Sequence, residues 1–278
     1  MPIDYFADLT TIVNHALAED IGDGDITAAL IDASQTTSAS VITRDNAIVC
    51  GRPWVDCVFE SVDPDTQLHW FVAEGDAVTP DTKLFEVRGR TRSLLTAERT
   101  ALNFLQTLSG TATETCRLVT LISHTQATLL DTRKTLPGLR LAQKYAVHVG
   151  GGNNHRIGLF DAFLIKENHI AASGSIAEAI TRARAHSPQS RLEIEVEDLH
   201  QFRIALDAEP DWIMLDNFPL PDILKAVSET NHATKLEASG GIDSEEDLIK
   251  IAETGVDYIS TGALTKHCRA VDLSMLLN

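Results

Sequence analysis

The unusual chemistry of this chain is concentrated in residues 127 to 170, ATLLDTRKTLPGLRLAQKYAVHVGGGNNHRIGLFDAFLIKENHI. An apolar run ends in Asp131 and is followed at once by Arg133 and Lys134. A second run, AFLIK, ends in Lys166, and between the two runs a triple glycine leads into Asn153, Asn154, His155 and Arg156. Glycine permits close backbone approach to a ligand. Arginine, lysine and histidine donate charge-assisted hydrogen bonds, so their convergence would make an anion site. Any one of these cations is as readily an ordinary surface residue beside a helix end. Four of them are harder to read that way, because the chain carries 40 Asp plus Glu against 23 Lys plus Arg, a formal net charge of -17. An acidic protein that gathers cations at strand ends is built to hold a small anion.

Carboxylates recur at corresponding places further on. RLEIEVE alternates Glu193, Glu195 and Glu197 with Leu192, Ile194 and Val196. A parallel strand covered on both sides should be apolar on both faces, so the acidic face implies a polar interior. Asp216 ends the next run, IMLD, and Glu237 lies in the following one, KLEAS. Acids on successive strands suit a hydrated Mg²⁺ held together with substrate phosphates. They equally suit ion pairs with Arg133, Lys134 and Lys166, and the two roles are compatible. Ser239, Gly240, Gly241 and then Ser260, Thr261, Gly262 close the last two strands. Small polar turns in that position offer backbone N–H groups to a phosphate. Neither G-x-x-x-x-G-K-[ST] nor a post-strand G-x-G-x-x-G occurs, which removes the common nucleotide-binding fingerprints.

The elements that must position these groups follow from periodicity. From Ala127 onward, strand-like runs alternate with helical patterns in six units: ATLLD, AFLIK, RLEIEVE, DWIMLDN, TKLEASGG and VDYISTGAL. Each connection has room for one helix. The expected architecture is a parallel α/β barrel, complete or short of eight strands, with a doubly wound open sheet as its competitor. Residues 4 to 20 carry an apolar stripe of helical period, and DIGDGDIT reads as a turn, lacking the spacing of a calcium loop. Ala39 to Val87 breaks into short β-rich runs, a small antiparallel sandwich-like domain of α+β type. Ser93 to Leu108 reads as a helix, SGTAT as an interruption, and Thr113 to Ile122 as a further helix. The expected division is an N-terminal domain over 1–110, with residues near 1–25 free to pack elsewhere, and a barrel domain over 111–278.

Composition sets outer limits. No apolar run approaches the ~18 residues of a membrane span, and the acidic start lacks the basic n-region of a signal peptide. Cys50, Cys57, Cys116 and Cys268 are scattered without C-x-x-C spacing, which predicts reduced thiols and a cytoplasmic protein. The acidic balance argues against a nucleic-acid partner.

DTRKT, NNHRIGL, LIKENH, EIEVE, IMLDN, LEASGGI and YISTGAL, with DIGDGDIT and ERTALNFLQTLSG ahead of them, resemble the quinolinate phosphoribosyltransferase family in the same order. The similarity spans essentially the whole chain. It implies transfer of phosphoribosyl from phosphoribosyl pyrophosphate to quinolinate, giving nicotinate mononucleotide, pyrophosphate and CO₂, with Mg²⁺ as cofactor. It assigns Arg133, His155, Arg156 and Lys166 to the two carboxylates of quinolinate, joined by Arg99 from a partner chain in a homodimer or larger homo-oligomer. Lys134 falls on the pyrophosphate side. Glu195 and Asp216 fall on the ribose hydroxyls and the metal, directly or through water. Ser239 to Gly241 and Ser260 to Gly262 fall on the 5′-phosphate. The catalytic set so implied is Lys134, Lys166, Glu195 and Asp216. Competing readings are a Schiff-base aldolase using Lys166, a diverged molybdate-associated relative, and a transferase for a pyridine monocarboxylate.

Overall fold

The structure is a computed structural model that describes residues 3–230, 234–242 and 244–278. In chain order the elements are α1 (Leu9–Ile21), β1 (Thr36–Thr43), β2 (Ala47–Ile48), α2 (Arg52–Val62), β3 (Gln67–Trp70), β4 (Ala77–Val78), β5 (Lys83–Arg90) and α3 (Thr91–Ile122). Then come β6 (Thr128–Leu130), α4 (Arg140–Val149), β7 (Phe163–Ile165), α5 (Glu167–Ser173), α6 (Ile176–His186), β8 (Leu192–Val196), α7 (Leu199–Asp207) and β9 (Trp212–Asp216). The chain finishes with α8 (Leu220–Glu229), β10 (Lys235–Ser239), α9 (Glu245–Ala252), β11 (Tyr258–Ser260), α10 (Ala263–Lys266) and β12 (Leu273–Leu277). Among the described residues no helix is long and apolar enough to cross a membrane.

By its internal contacts the chain forms two compact units, each assembled from separate stretches of sequence. The first comprises residues 1–116, 135–151 and 263–278, and the second 117–134 and 152–262. The C-terminal segment, expected in the barrel domain, runs antiparallel to β1 as β12, from Ala39 opposite Leu277 to Thr43 opposite Leu273. Its short run, LSMLL, covers an edge that β1 would otherwise expose.

The first unit holds an antiparallel sheet of order β12-β1-β5-β3 and a two-stranded ribbon, β2 with β4. Helices make its second layer. Ala39, Val41, Phe85 and Val87 of the sheet are buried with Trp54, Val58 and Phe59 of α2 and with Leu94, Leu102, Leu105 and Leu108 of α3. The SGTAT interruption does not occur, and α3 runs unbroken through it. Those residues are small for packing: a Cβ on Gly110 would stand 2.0 Å from the carbonyl oxygen of Arg269. Ser109 meanwhile accepts from Cys50 N and donates to Cys50 O, at 3.0 and 3.1 Å.

The second unit is one parallel sheet of order β6-β11-β10-β9-β8-β7. Numbered along the chain, these strands run 1-6-5-4-3-2. That is the cyclic order of a barrel opened between its first two strands, and it excludes the doubly wound alternative, whose order reverses within the sheet. At the opening, a short loop stands where a strand would be. Asn153 forms a parallel bridge with Leu130, donating to Leu129 O at 2.9 Å and accepting from Asp131 N at 3.1 Å.

One ion pair in the first unit links fold to acid stability. Asp63 ends α2 with its side chain 1% exposed, and Arg90 at the end of β5 grips it with two bonds, Nε at 2.7 Å and Nη2 at 2.6 Å. Arg90 holds the Asp63 carboxyl well below the usual carboxylate range. A depressed folded-state pKa gives stability that is complete above the unfolded value of about 4 and declines progressively as pH falls from there toward the lower folded-state value. Asp63→Asn should therefore lower Tm at neutral pH, and the gap from the parent protein should shrink as pH drops from about 5 to about 3. A gap that stays constant over that window would count against this role.

Candidate active site

Side chains on a strand alternate between two faces, and in the second unit one face of each strand meets the helices. Leu192, Ile194 and Val196 of β8 are fully buried there, which leaves Glu193 and Glu195 for the interior. Register then stacks the interior residues in layers. Glu193 stands level with Trp212 and Lys235, Glu195 with Met214 and Glu237, and Asp216 with Ser239 and Ser260. At the N-terminal end Trp212 stacks on Tyr258 with ring centroids 4.0 Å apart, and the Arg191 guanidinium lies 4.3 Å over Trp212. At the C-terminal end the layers open into a cavity of about 200 Å³.

The cavity gathers most of the residues expected from sequence. Arg133 and Lys134 enter from the segment after β6, His155 and Arg156 from the loop at the opening, and Lys166 from the end of β7. Glu195, Asp216, Ser239 and Ser260 line the remaining wall, together with Thr132, Leu164, Met214 and Glu237. Gly240, Gly241, Thr261 and Gly262 follow directly on Ser239 and Ser260 and are not lining residues. Arg99 is exposed on α3, within the first unit, and does not line this cavity in a single chain.

The electrostatics of the cavity favour an anion. Arg156 is half-buried, and burial first, with Arg133 beside it, pushes its pKa below the ordinary arginine value. Arg133 Nε is buried and has no acceptor among the described residues. Ser260 Oγ is likewise buried without a partner among them. A buried unmatched donor costs ~1–3 kcal/mol, a cost that an incoming carboxylate or phosphate oxygen removes. Lys166 Nζ is bonded to Glu195 Oε2. A Schiff-base lysine needs desolvation to become a free amine, whereas the Lys166 side chain is 42% exposed and salt-bridged, so the aldolase reading loses its nucleophile.

At the inner wall of the cavity, and extending behind it to Glu193, lies a cluster that sequence reasoning did not assemble. Glu193 and Glu237 are both fully buried, and His155 Nε2 stands 2.8 Å from Glu193 Oε2 and 3.2 Å from Glu237 Oε2. Burial and the neighbouring Glu237 push the Glu193 carboxyl above the usual carboxylate range. Burial disfavours an imidazolium at His155, and the two carboxylates outweigh it, lifting the ring to about 9. Yet Nδ1 accepts the Arg156 N–H at 2.8 Å, which leaves no room there for a second proton. The local bond decides, and the ring is the Nε2–H tautomer. A signal for this cluster existed in the acidic alternation of RLEIEVE, but which glutamate faces which depends on strand register.

Two groups of donors are candidates for a cation. Glu195 and Asp216, at the cavity wall on neighbouring strands, are the one or two acids that a hydrated Mg²⁺ takes. His155, Glu193 and Glu237 place ligand atoms within 4.8 Å of one another, but the proton on Nε2 occupies the nitrogen that would ligate. The rim pair fits magnesium better.

Comparison with known proteins agrees with this architecture. The quinolinate phosphoribosyl transferase N-terminal domain matches residues 25–109, and the C-terminal domain of the same family matches residues 111–276. The chain is 41% identical over 270 residues to the nicotinate-nucleotide pyrophosphorylase [carboxylating] of Mycobacterium leprae, covering 95% of each. It is 39% identical over 292 residues to quinolinate phosphoribosyltransferase [decarboxylating] 1 of Nicotiana glauca, covering 98% of this chain and 83% of the relative. Among solved structures, the nicotinate-nucleotide pyrophosphorylase from Francisella tularensis superposes with a TM-score of 0.94 at 49% identity, over 100% of this chain and 98% of that one. Matched by both domains of the family and by relatives of about 40% identity over nearly its full length, this chain belongs to the quinolinate phosphoribosyltransferase family.

Proposed function

We propose that this chain is a decarboxylating quinolinate phosphoribosyltransferase, joining quinolinate and phosphoribosyl pyrophosphate to form nicotinate mononucleotide, pyrophosphate and CO₂ in NAD biosynthesis. One observation carries the reading: two guanidiniums, Arg133 and Arg156, share one small cavity, with a buried Arg133 Nε that no oxygen among the described residues satisfies. A di-acid ring supplies the missing acceptors, and arginine binds a carboxylate through two parallel bonds. Four free thiols, at Cys50, Cys57, Cys116 and Cys268, suit a reducing cytoplasm.

The residues divide the work by charge. Arg133, Arg156 and Lys166 hold the quinolinate carboxylates and orient the pyridine nitrogen toward the ribose. Lys134 faces the pyrophosphate. Ser239 to Gly241 and Ser260 to Gly262 receive the 5′-phosphate, while Glu195 and Asp216 fix the ribose hydroxyls and would hold Mg²⁺. That ion, when bound, neutralises charge on the pyrophosphate. As the bond from ribose C1 to pyrophosphate oxygen breaks, its electron pair leaves with pyrophosphate and positive charge develops at C1. The carboxylates of Glu195 and Asp216 stabilise that charge, and the pyridine nitrogen lone pair then forms the bond to C1. The pyridinium accepts the electron pair of the carbon–carbon bond to the adjacent carboxylate, CO₂ departs, and the ring carbon takes a proton. Positioning and electrostatics do this work without a covalent enzyme intermediate. In a homodimer, the partner's Arg99 would add a further guanidinium to the di-acid.

The phosphate turn has a built-in constraint. Gly240 adopts φ +79, and a Cβ there would lie 2.2 Å from Asn217 Oδ1. Asn217 itself has φ +55 and donates from Nδ2 to Asp216 at 2.9 Å. Crowding at Gly240 therefore reaches Asp216.

Two expectations follow. In a CO₂-release assay with quinolinate, phosphoribosyl pyrophosphate and Mg²⁺, Arg133→Ala and Lys166→Ala should each lower kcat/KM for quinolinate by about 100-fold or more, the order expected for losing a charge-assisted contact to a substrate carboxylate. Near-normal values in either variant would refute the assignment, and turnover of nicotinate without CO₂ would favour a monocarboxylate transferase. Gly240→Ala should raise KM for phosphoribosyl pyrophosphate by about tenfold while calorimetric quinolinate affinity stays within about twofold. Equal loss for both substrates would mean that the turn does not serve the phosphate.

A further inference from the structure

The reaction assigns no task to Glu193 or Glu237, yet the fold spends two fully buried carboxylates on them. None of their four oxygens takes a hydrogen bond of ordinary geometry among the described residues. Removing two carboxylates from water costs several kcal/mol each unless a nearby group compensates. Their contact is the His155 ring, at 2.8 and 3.2 Å.

That ring reaches the cavity through the main chain. His155 Nδ1 accepts the Arg156 N–H at 2.8 Å, and Nε2 faces Glu193 Oε2 at 2.8 Å as a close charge contact rather than a hydrogen bond of ordinary geometry. The same loop is fixed from its other side by Asp131, fully buried at the end of β6. Asp131 Oδ1 accepts His155 N–H at 2.9 Å, and its Oδ2 accepts Asn154 Nδ2 at 2.7 Å. Arg156 therefore departs from a main chain pinned on two sides. Such pinning suits a pair of like charges, because Arg133 stands close enough to Arg156 to repel it.

We infer that Glu193 and Glu237 are positioning residues for di-acid recognition: through the His155 ring they lock the Arg156 main chain at the opening between β6 and β7, and so set the spacing of the Arg133–Arg156 pair. The inference rests on the reading of those two arginines as holders of the quinolinate carboxylates. It gives His155 an orienting role in place of direct contact with substrate. It also accounts for the full burial of Glu193 behind the cavity lining and of Glu237 within it, where they stand against the His155 ring.

Three measurements test it. First, ¹⁵N-histidine NMR of the intact protein should show His155 as the Nε2–H tautomer, and an Nδ1–H tautomer would overturn the inference. Second, Glu193→Gln and Glu237→Gln keep shape and remove charge. Each should raise KM for quinolinate by about tenfold, the order expected for a misplaced charge-assisted bond, with KM for phosphoribosyl pyrophosphate and kcat within about twofold to threefold. In a His155→Phe background the same substitutions should add little, because the ring they act through is gone. Additive effects, or a fall in Tm with no selective change in quinolinate KM, would show a merely structural role. Third, metal analysis of the purified protein should find no divalent ion lost on Glu193→Gln, whereas one ion per chain lost in that variant would replace the inference with a metal site. If the parent protein fails to bind quinolinate by calorimetry, the functional reading falls and takes this inference with it. If the parent binds and the glutamine variants match it, only this inference falls.

Discussion

Like charges can be kept side by side inside a protein only where opposite charges lie close enough to compensate them. That constraint governs the second unit. The interior of a parallel barrel is normally filled by layers of branched apolar side chains. Here the layers carry Glu193, Glu195, Glu237, Asp216 and two serines instead, with Arg133, Lys134, Arg156 and Lys166 around them. Apolar packing is confined to the helix-facing side of each strand, where Leu192, Ile194, Ile213, Leu236 and Ile259 are almost wholly inaccessible. The fold is thus held from outside the strands, which frees their inner face for charge. Trp212, Tyr258 and Arg191 close the far end, so charges above them act across protein rather than water and interact more strongly.

The opening between β6 and β7 answers a geometric problem. A strand can send only alternate residues to one side. The loop that replaces it sends three successive residues to useful places: Asn154 to Asp131, His155 to the buried glutamates, and Arg156 to the cavity. A completed ladder would have turned one of those three toward the helices. The break in the barrel is therefore a requirement of the site, met by two backbone bonds from Asn153.

Much of this was legible in the sequence, for reasons that differ by residue. Arg133, Lys134, Lys166 and Asp216 could be placed because each follows or ends an apolar run, and in parallel α/β folds that position is the ligand edge. The acidic alternation of RLEIEVE correctly implied a polar interior. What it could not reveal was that Glu193 and Glu237 meet at His155, since that depends on which residues stand opposite across strands, and periodicity carries no such information. SGTAT misled because glycine, serine and threonine are poor helix formers. There the deciding factor was tertiary: α3 needs a residue without a side chain where the Arg269 backbone crosses it. The LSMLL run carried a strand signal, but nothing local says that its partner lies more than two hundred residues earlier.

That last pairing has a consequence for biosynthesis. The first unit is assembled from three separate stretches, and its sheet acquires β12 only from residues 273–277. A nascent chain that has just emerged through residue 110 therefore has β1 with one side unprotected, and must wait for most of the remaining polypeptide before that side is covered. Pairings of such wide sequence separation form late because loop closure opposes them. Expressing residues 1–110 alone would give not a smaller domain but a sheet with a permanently open, aggregation-prone margin.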